Sequence, residues 1–194
     1  MAGADDAFIR LLEVLHRMEI PYLVGGSVAS SVHGITRPTM DADIVANLRT
    51  EQVDEFVALL KADFYADPIT IRDALSRKRS FNLIHYASTF KIDVFPLRSD
   101  SYSRVSFGRR LWEQSQSFGP QPIECAIASA EDTILRKLER YRAGGETSER
   151  QWNDLRGILM VKGDQLDRDY MRKWAKELKV DDLLERLLEE KLKS

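Results

Sequence analysis

Two short segments in which acidic and apolar residues alternate constrain the fold more than any other feature of this sequence. In MDADIVA, residues 40–46, the alternation has the period of two that is typical of a β-strand, so Asp41 and Asp43 share one face. The apolar residues between and after them take the other face, towards a core. KIDVF, residues 91–95, places Asp93 in the middle of a second apolar strand. If the two strands are neighbours, three carboxylates converge on one face of a sheet.

Carboxylates this close either raise one another's pKa or hold a cation between them. Mg²⁺ and Mn²⁺ prefer carboxylate oxygens, and three acids can hold two such ions about 3.5–4 Å apart, the arrangement that stabilises nucleotidyl transfer. The sequence therefore predicts Asp41, Asp43 and Asp93 as metal ligands and catalytic residues, with Asp93 also a candidate general base. A bare Asp-x-Asp pair is equally typical of a solvated strand edge. Asp93 favours the metal site, because burying an unpaired carboxylate is costly.

A glycine-rich turn precedes the first acidic strand. Gly25, Gly26 and Ser27 follow the apolar run YLV and open a short predicted helix that ends at Gly34. Glycines let the backbone approach a ligand closely, and amides at a helix N-terminus point at anions, so we predict that this turn binds a triphosphate. The sequence lacks a G-K-[ST] motif, which excludes the P-loop design. A plain strand-to-helix turn is the alternative.

The order of the remaining patterns predicts an α+β fold. An amphipathic N-terminal helix, with Phe8, Leu11 and Leu15 on one face, is followed by mixed strands and helices, including a hairpin formed by SFNLIHY and FKIDVFPL. The segments RRLWEQSQ and PIECAIA are predicted as further short strands. From Ser129 onwards every pattern is helical. We therefore expect a small mixed β-sheet domain over residues 1–128 and a helical domain packed against it over residues 129–194.

Composition limits where such a chain works. No run approaches the roughly 18 apolar residues of a membrane span, and the acidic N-terminus lacks the order of a signal peptide. A single cysteine, Cys125, excludes an internal disulfide and fits a reducing compartment, where we predict a buried structural thiol. With a net charge of −2, any contact with nucleic acid needs a local basic patch. These features predict a cytoplasmic protein with no membrane partner.

The segment GGSVASSVHGITRPTMDADIV, followed by KIDVF, resembles the DNA polymerase β-like nucleotidyltransferase superfamily. The form GG…G..R.T.DAD is most similar to the branch that contains CCA-adding enzymes and bacterial abortive-infection toxins. The resemblance implies a palm-like sheet, metal ligation by the three aspartates, and triphosphate binding at Gly26 and Ser27. It also implies that Arg37 lies near the nucleotide. An ordinary arginine in a surface loop is an equally good interpretation of this residue.

The helical part extends the resemblance. KLERYRAGGETSERQWNDLRGIL is similar to the toxins' Lys and Arg-x-x-x-Asp motif and implies accessory nucleotide-binding roles for Lys137, Arg150 and Asp154. The toxins usually have an acid directly after the arginine, where this chain has Gln151. On physical grounds alone, Lys137 could extend along an apolar helix face, and Arg150 and Asp154 could form an i,i+4 surface pair.

Together these features predict a nucleotidyltransferase dependent on Mg²⁺ or Mn²⁺. It would transfer NMP from an NTP to a hydroxyl of RNA, a protein or a small molecule and release pyrophosphate. The alternative is a non-catalytic nucleotide- or RNA-binding regulator, such as one member of a toxin–antitoxin pair with a cognate antitoxin. A third reading is a purely structural helical adaptor.

The tryptophans Trp112, Trp152 and Trp174 are expected at core positions rather than as base-stacking platforms.

Overall fold

A computed structural model describes residues 2–37, 39, 41–115 and 123–191 of the 194-residue chain. The chain forms two compact units. The first comprises Met1–Val28 and Pro38–Ile127, and the second comprises Ala29–Arg37 and Ala128–Ser194. The division falls inside a short helix, α2, Gly26–His33. The predicted division into a sheet domain over residues 1–128 and a helical domain over residues 129–194 stays a prediction.

A seven-stranded mixed sheet forms the body of the first unit. Its strands lie in the order β3-β4-β5-β2-β1-β7-β6. In chain order they are β1 Tyr22–Val24, β2 Asp41–Ala46, β3 Phe64–Tyr65, β4 Phe81–His85, β5 Lys91–Pro96, β6 Leu111–Ser115 and β7 Ile123–Ile127. Strands β2 and β5 are parallel, as are β1 and β7, and every other neighbouring pair is antiparallel. The predicted α+β fold with a mixed sheet is confirmed.

Alternation along the central strands separates a buried face from an open one. In β2 the buried residues are Ala42, Ile44 and Ala46, while Asp41 and Asp43 are only half-buried. The same pattern continues in β5 and β4, so the acidic side chains lie on the face away from the apolar core.

Five helices accompany the sheet in sequence. They are α1 Ala2–Arg17, α2, α3 Val53–Leu60, α4 Pro68–Ser76 and α5 Ser101–Gly108. The amphipathic face predicted for α1 is confirmed, since Phe8, Leu11 and Leu15 are buried. Two features start helix α4 at Pro68. A backbone N–H at the first position of a helix has no partner within the helix, so a proline, which lacks this N–H, loses nothing there. The Asp67 side chain caps the helix by accepting from the backbone N–H of Thr70.

Several short elements carry little sequence signal, and one local expectation was wrong. Helix α3 is preceded by a 3₁₀ turn, Thr50–Gln52. Strand β3 is too short to leave a periodic signal. Helix α5 is polar in composition, and it is set by Asp100, whose side chain accepts from the backbone N–H of Ser103 at 2.8 Å. Trp112 is not in the core but is 54% exposed beside His16.

The second unit is helical, as predicted from Ser129 onwards. Its helices are α6 Ala130–Ala143, α7 Glu149–Lys162, α8 Arg168–Glu177 and α9 Asp181–Lys191. The Ser129 side chain caps α6, and α6 contacts the other three helices. Trp152 and Trp174 are buried in this unit, as expected, and the Trp152 ring lies 5.0 Å from that of Tyr141. These contacts fix α6 and α7, the two helices that carry Lys137, Arg150 and Asp154.

No helix in the described part of the chain is both long enough and apolar enough to cross a lipid bilayer.

Candidate active site

The three predicted catalytic aspartates come from two neighbouring strands. Strands β2 and β5 run parallel, and their register pairs Asp43 with Asp93 directly and Asp41 with Lys91. Neighbouring strands are separated by about 4.8 Å, so Asp43 and Asp93 start from adjacent backbone positions. All four side chains lie on the open face of the sheet. Asp43 and Asp93, which are fifty residues apart in the sequence, are therefore direct neighbours across the two strands.

Lys91 lies among these carboxylates. Its Nζ is 2.8 Å from Oδ2 of Asp93. The hydrogen bond to Asp93 is the main cause that raises the pKa of Lys91, and the charges of Asp93, Asp41 and Asp43 add to it. One cation thus already offsets part of the repulsion that the acidic strand creates. Lys91 stands two residues before Asp93, so the two side chains share one face of β5.

The ends of the acidic strand are held by neighbouring backbone and side-chain groups. The backbone N–H of Gly25 donates to the carbonyl of Asp43 at 2.9 Å, which ties the glycine turn to β2. Thr39 donates its hydroxyl to Asp41 Oδ1 at 2.9 Å. Sequence reasoning did not single out Thr39, although a threonine two residues before an acid is a simple signal for such a bond.

Gly26 lies directly against Asp43. Its φ is +58°, a left-handed conformation that favours glycine. A Cβ at this position would lie 2.7 Å from Cγ of Asp43 and 2.9 Å from its Cβ, and closer still to Oδ2. Gly26 is also the first residue of α2, followed by Ser27, which is half-buried. The turn therefore brings a helix N-terminus to the carboxylate, a contact that no other residue type permits.

The donor chemistry of this face fits a divalent cation. It offers three carboxylates, the oxygen ligands that Mg²⁺ and Mn²⁺ prefer. Among the described residues, however, no three His, Cys, Asp or Glu side chains converge closely enough to form a ready-made metal site.

A second cluster of predicted residues lies within the helical unit. Arg37 donates from Nε and Nη2 to the two carboxylate oxygens of Asp154, at 2.8 and 2.9 Å. Lys137 donates from Nζ to the same carboxylate at 2.7 Å. Sequence reasoning proposed Arg37 from one motif and Lys137 with Asp154 from another, and the fold joins the three residues into one network.

Burial and charge act against each other in this network. Burial is the main cause that lowers the pKa of Lys137, although the bond to Asp154 opposes it. Burial raises the pKa of Asp154, but hydrogen bonds from Arg37 and Lys137 outweigh it and leave that pKa below its ordinary value. Both Lys137 and Asp154 have side chains that are only 8% exposed. Asp154 is therefore an ionised carboxylate shared by two cations.

Two glycines allow the Arg37 segment to reach α7. A Cβ on Gly34 would lie 2.8 Å from the backbone nitrogen of Ile158, and one on Gly157 would lie 3.3 Å from the backbone nitrogen of Ile35. The backbones therefore touch here, which carries Arg37 to Asp154 one turn earlier on the same helix. Gly34 was read from the sequence as a helix end only, and Gly157 was not singled out.

Arg150 stays apart from this network. It is exposed in the first turn of α7, and within the described part of the chain it makes no side-chain hydrogen bond or ion pair. The i,i+4 surface pair with Asp154, the alternative drawn from spacing, is therefore wrong, because Asp154 turns towards Arg37 and Lys137 instead. The predicted nucleotide-binding role of Arg150 stays a prediction.

Cys125 is the only cysteine in the sequence. It is buried in β7, and burial raises its pKa to about 12. The expected inert structural thiol agrees with this environment.

Comparison with known proteins identifies the fold. No protein-family model and no curated protein matches the sequence. Among solved structures, the antibiotic-resistance factor ANT(2'')-Ia in solution is similar with a TM-score of 0.54 and 13% identity, covering 96% of this chain and 97% of that one. An antigenic nucleotidyltransferase-like protein from Paracoccidioides brasiliensis is similar with a TM-score of 0.52 and 14% identity, covering 94% and 91% of the two chains. ANT(2'')-Ia in complex with adenylyl-2''-tobramycin gives 0.51 and 12%, covering 90% and 96%.

Proposed function

We propose that this chain, which has the fold of the DNA polymerase β-like nucleotidyltransferases, is a metal-dependent nucleotidyltransferase. It would transfer NMP from an NTP to a hydroxyl and release pyrophosphate. The observation that carries the proposal is the register of Asp43 with Asp93, with Asp41 on the same face and Gly26 against Asp43. A structural scaffold has no need to align three acids on the open face of a sheet, because like charges there are destabilising.

In the proposed reaction Asp41, Asp43 and Asp93 would hold Mg²⁺. When bound, the ion supplies charge neutralisation at the α-phosphate and at the leaving pyrophosphate. The acceptor oxygen forms a bond to the α-phosphorus as the bond to the bridging oxygen of pyrophosphate breaks. Asp93 accepts the proton of the attacking hydroxyl, and Lys91, which bonds to Asp93, fixes the orientation of that carboxylate.

The triphosphate of the nucleotide would be bound at the glycine turn of the first unit. Amides at the start of α2, at Gly26 and Ser27, suit the β- and γ-phosphates, and Gly25 holds this turn against Asp43. Arg37 and Lys137 bond to Asp154 within the second unit, and their nucleotide-binding roles, like that of Arg150, stay predictions drawn from the resemblance.

The acceptor is proposed to be a small molecule. The solved structures of this fold include an enzyme in complex with adenylyl-2''-tobramycin, a nucleotidylated small molecule. RNA and protein remain the rival acceptors and enter the test.

The test is label transfer from α-labelled NTPs, each supplied with Mg²⁺ or Mn²⁺. The acceptors are total RNA, mixed cellular protein, and a deproteinised metabolite extract supplemented with tobramycin. Asp43→Asn, which keeps the side-chain shape, should lower transfer by about a hundredfold or more. Asp73→Asn is the matched control, because Asp73 is an exposed residue of α4 whose carboxylate pairs with Arg77. The activity of this variant should equal that of the wild type.

A different outcome would support the rival function. If the chain binds NTP but transfers label to no acceptor, it is a nucleotide-binding regulator, and co-purification with a cognate antitoxin would place it in a toxin–antitoxin pair. If metal and NTP together fail to raise its melting temperature, neither function holds, and a structural adaptor is the better description.

A further inference from the structure

A row of paired residues leads from the acidic site to the edge of the sheet. Asp41 in β2 pairs with Lys91 in β5, Lys91 pairs with Ile84 in β4, and Ile84 pairs with Tyr65 in β3. Register partners on adjacent strands point to the same face, so these four side chains share the open face. The candidate site and the two strands at this edge of the sheet, β4 and β3, therefore form one continuous surface within the first unit.

The outer half of this row is apolar and exposed. Tyr65 is 58% exposed and Ile84 is 39% exposed, and we call this pair the Tyr65–Ile84 ledge. Their neighbours in sequence, Phe64 and His85, point the other way and are buried, with ring centroids 5.2 Å apart. Single exposed apolar residues are common, but here two are direct partners in line with the acids.

A second row runs alongside and is polar. Asp43 pairs with Asp93, and Asp93 pairs with Asn82, which is exposed in β4. The amide of Asn82 both donates and accepts hydrogen bonds. A molecule lying on this face would thus meet an apolar surface in one row and an amide in the next, with the proposed general base at the inner end.

We infer that the Tyr65–Ile84 ledge binds the acceptor and that the acceptor is a hydroxylated ring compound such as a sugar. This inference rests on the proposed function and specifies the substrate class of the same site. The flat C–H face of a ring packs on an aromatic and an aliphatic side chain, while its hydroxyls bond to Asn82 and one hydroxyl reaches Asp93. The ledge thereby sets which hydroxyl reacts.

The size of the ledge favours a small molecule over a protein. From β5 to β3 there are two strand spacings, roughly 10 Å, which is the length of one or two sugar rings. A stable protein interface needs about 800 Å² on each partner, far more than two side chains provide. Strand addition is also unsuited here, since edge strand β3 has only two residues.

Charge on the two rows disfavours RNA. They contain three carboxylates, Asp41, Asp43 and Asp93, and one basic residue, Lys91, which is paired with Asp93. A polyanion bound along this face would need several cations that these rows do not supply. A neutral or cationic ring compound meets no such repulsion.

The experiment compares variants of the ledge with a matched variant elsewhere. Tyr65→Ala and Ile84→Ser remove the two apolar contacts, and Val161→Ser removes an equally exposed aliphatic residue, 52% exposed on α7. The labelled product of the metabolite arm is first identified by mass spectrometry. For that acceptor, the ledge variants should raise KM by roughly tenfold with little change in kcat, and Val161→Ser should match the wild type.

A binding measurement without metal or nucleotide gives an independent readout. Addition of the identified acceptor should shift the methyl signals of Ile84 in NMR spectra and leave those of Val161 unchanged. Unaltered KM in both ledge variants, or shifts that avoid Ile84, would overturn the inference. Labelling of RNA, protein or an acyclic compound instead would also overturn it while leaving the nucleotidyltransferase proposal standing. Absence of Asp43-dependent transfer to every acceptor would overturn the proposed function, and the ledge inference with it.

Discussion

Replacing Gly26 by alanine tests whether the glycine turn exists to accommodate Asp43. The added Cβ would lie 2.7 Å from Cγ of Asp43, a separation that real structures do not show. Either the carboxylate or the backbone of the turn must move. Gly25→Ala is the matched control in the neighbouring residue, because a Cβ there meets nothing within 4 Å and Gly25 does not have a positive φ.

The cost of the Gly26 change follows from two terms. Holding alanine at a φ of +58° costs about 1 kcal/mol. Pushing Asp43 away from its preferred rotamer adds about another 1 kcal/mol. Together, about 2 kcal/mol corresponds to a fall in melting temperature of roughly 4–8 °C for a chain of this size. Gly25→Ala should stay within about 0.5 kcal/mol of the wild type.

Differential scanning calorimetry without ligand measures the stability of each variant. Isothermal titration calorimetry with Mn²⁺ measures the affinity of the acidic site for the ion. Gly26→Ala should melt earlier and bind Mn²⁺ more weakly, since Asp43 is displaced. Equal melting temperatures for the two glycine variants would refute the steric argument. A lower melting temperature with unchanged Mn²⁺ affinity would show that the position of Asp43 does not matter for the metal.

Four further predictions concern the charged and buried groups. Asp154→Asn should lower stability by about 3 kcal/mol because it leaves Lys137 buried without a carboxylate; Lys137→Met should cost much less, since Arg37 still pairs with Asp154. Urea unfolding measures both. Because the pKa of Asp154 is lowered in the folded chain, its ionised carboxylate stabilises the fold above about pH 4, and this stabilisation is lost as the pH falls further. Asp154→Asn should therefore flatten the acid limb of a curve of stability against pH. With its pKa raised to about 12, the Cys125 thiol should react slowly with Ellman's reagent in the folded chain and rapidly in urea. Lys91→Met should raise Mn²⁺ affinity by up to roughly fivefold in a calorimetric titration, because a competing cation is removed.

Much of the local structure follows directly from the sequence. Alternation in residues 40–46 and 91–95 correctly placed Asp41, Asp43 and Asp93 opposite the apolar residues of their strands. Such patterns are readable because a strand side chain must point to one of two faces, and the core accepts only apolar ones. The Ser129 cap and the amphipathic helices were predictable for the same kind of local reason.

Features that depend on distant partners were missed or misassigned. Helix α5 has a polar sequence and is set by the side chain of Asp100, and β3 has two residues. Asp154 was paired with Arg150 on spacing, whereas its partners are 117 and 17 residues away in sequence, at Arg37 and Lys137. A helix surface offers several neighbours of opposite charge, and only tertiary packing selects among them.

By itself, the sequence determined which residues carry charge on an otherwise apolar strand, where a turn needs glycine, and where the helical part begins. Each of these is a property of a few consecutive residues and their local conformational preferences. The tertiary structure decided the rest: the parallel pairing of β2 and β5 that aligns Asp43 with Asp93, the contact of Gly26 with Asp43, and the row that ends at Tyr65. Register between strands fifty residues apart is fixed by how the whole sheet packs, and no local pattern encodes it.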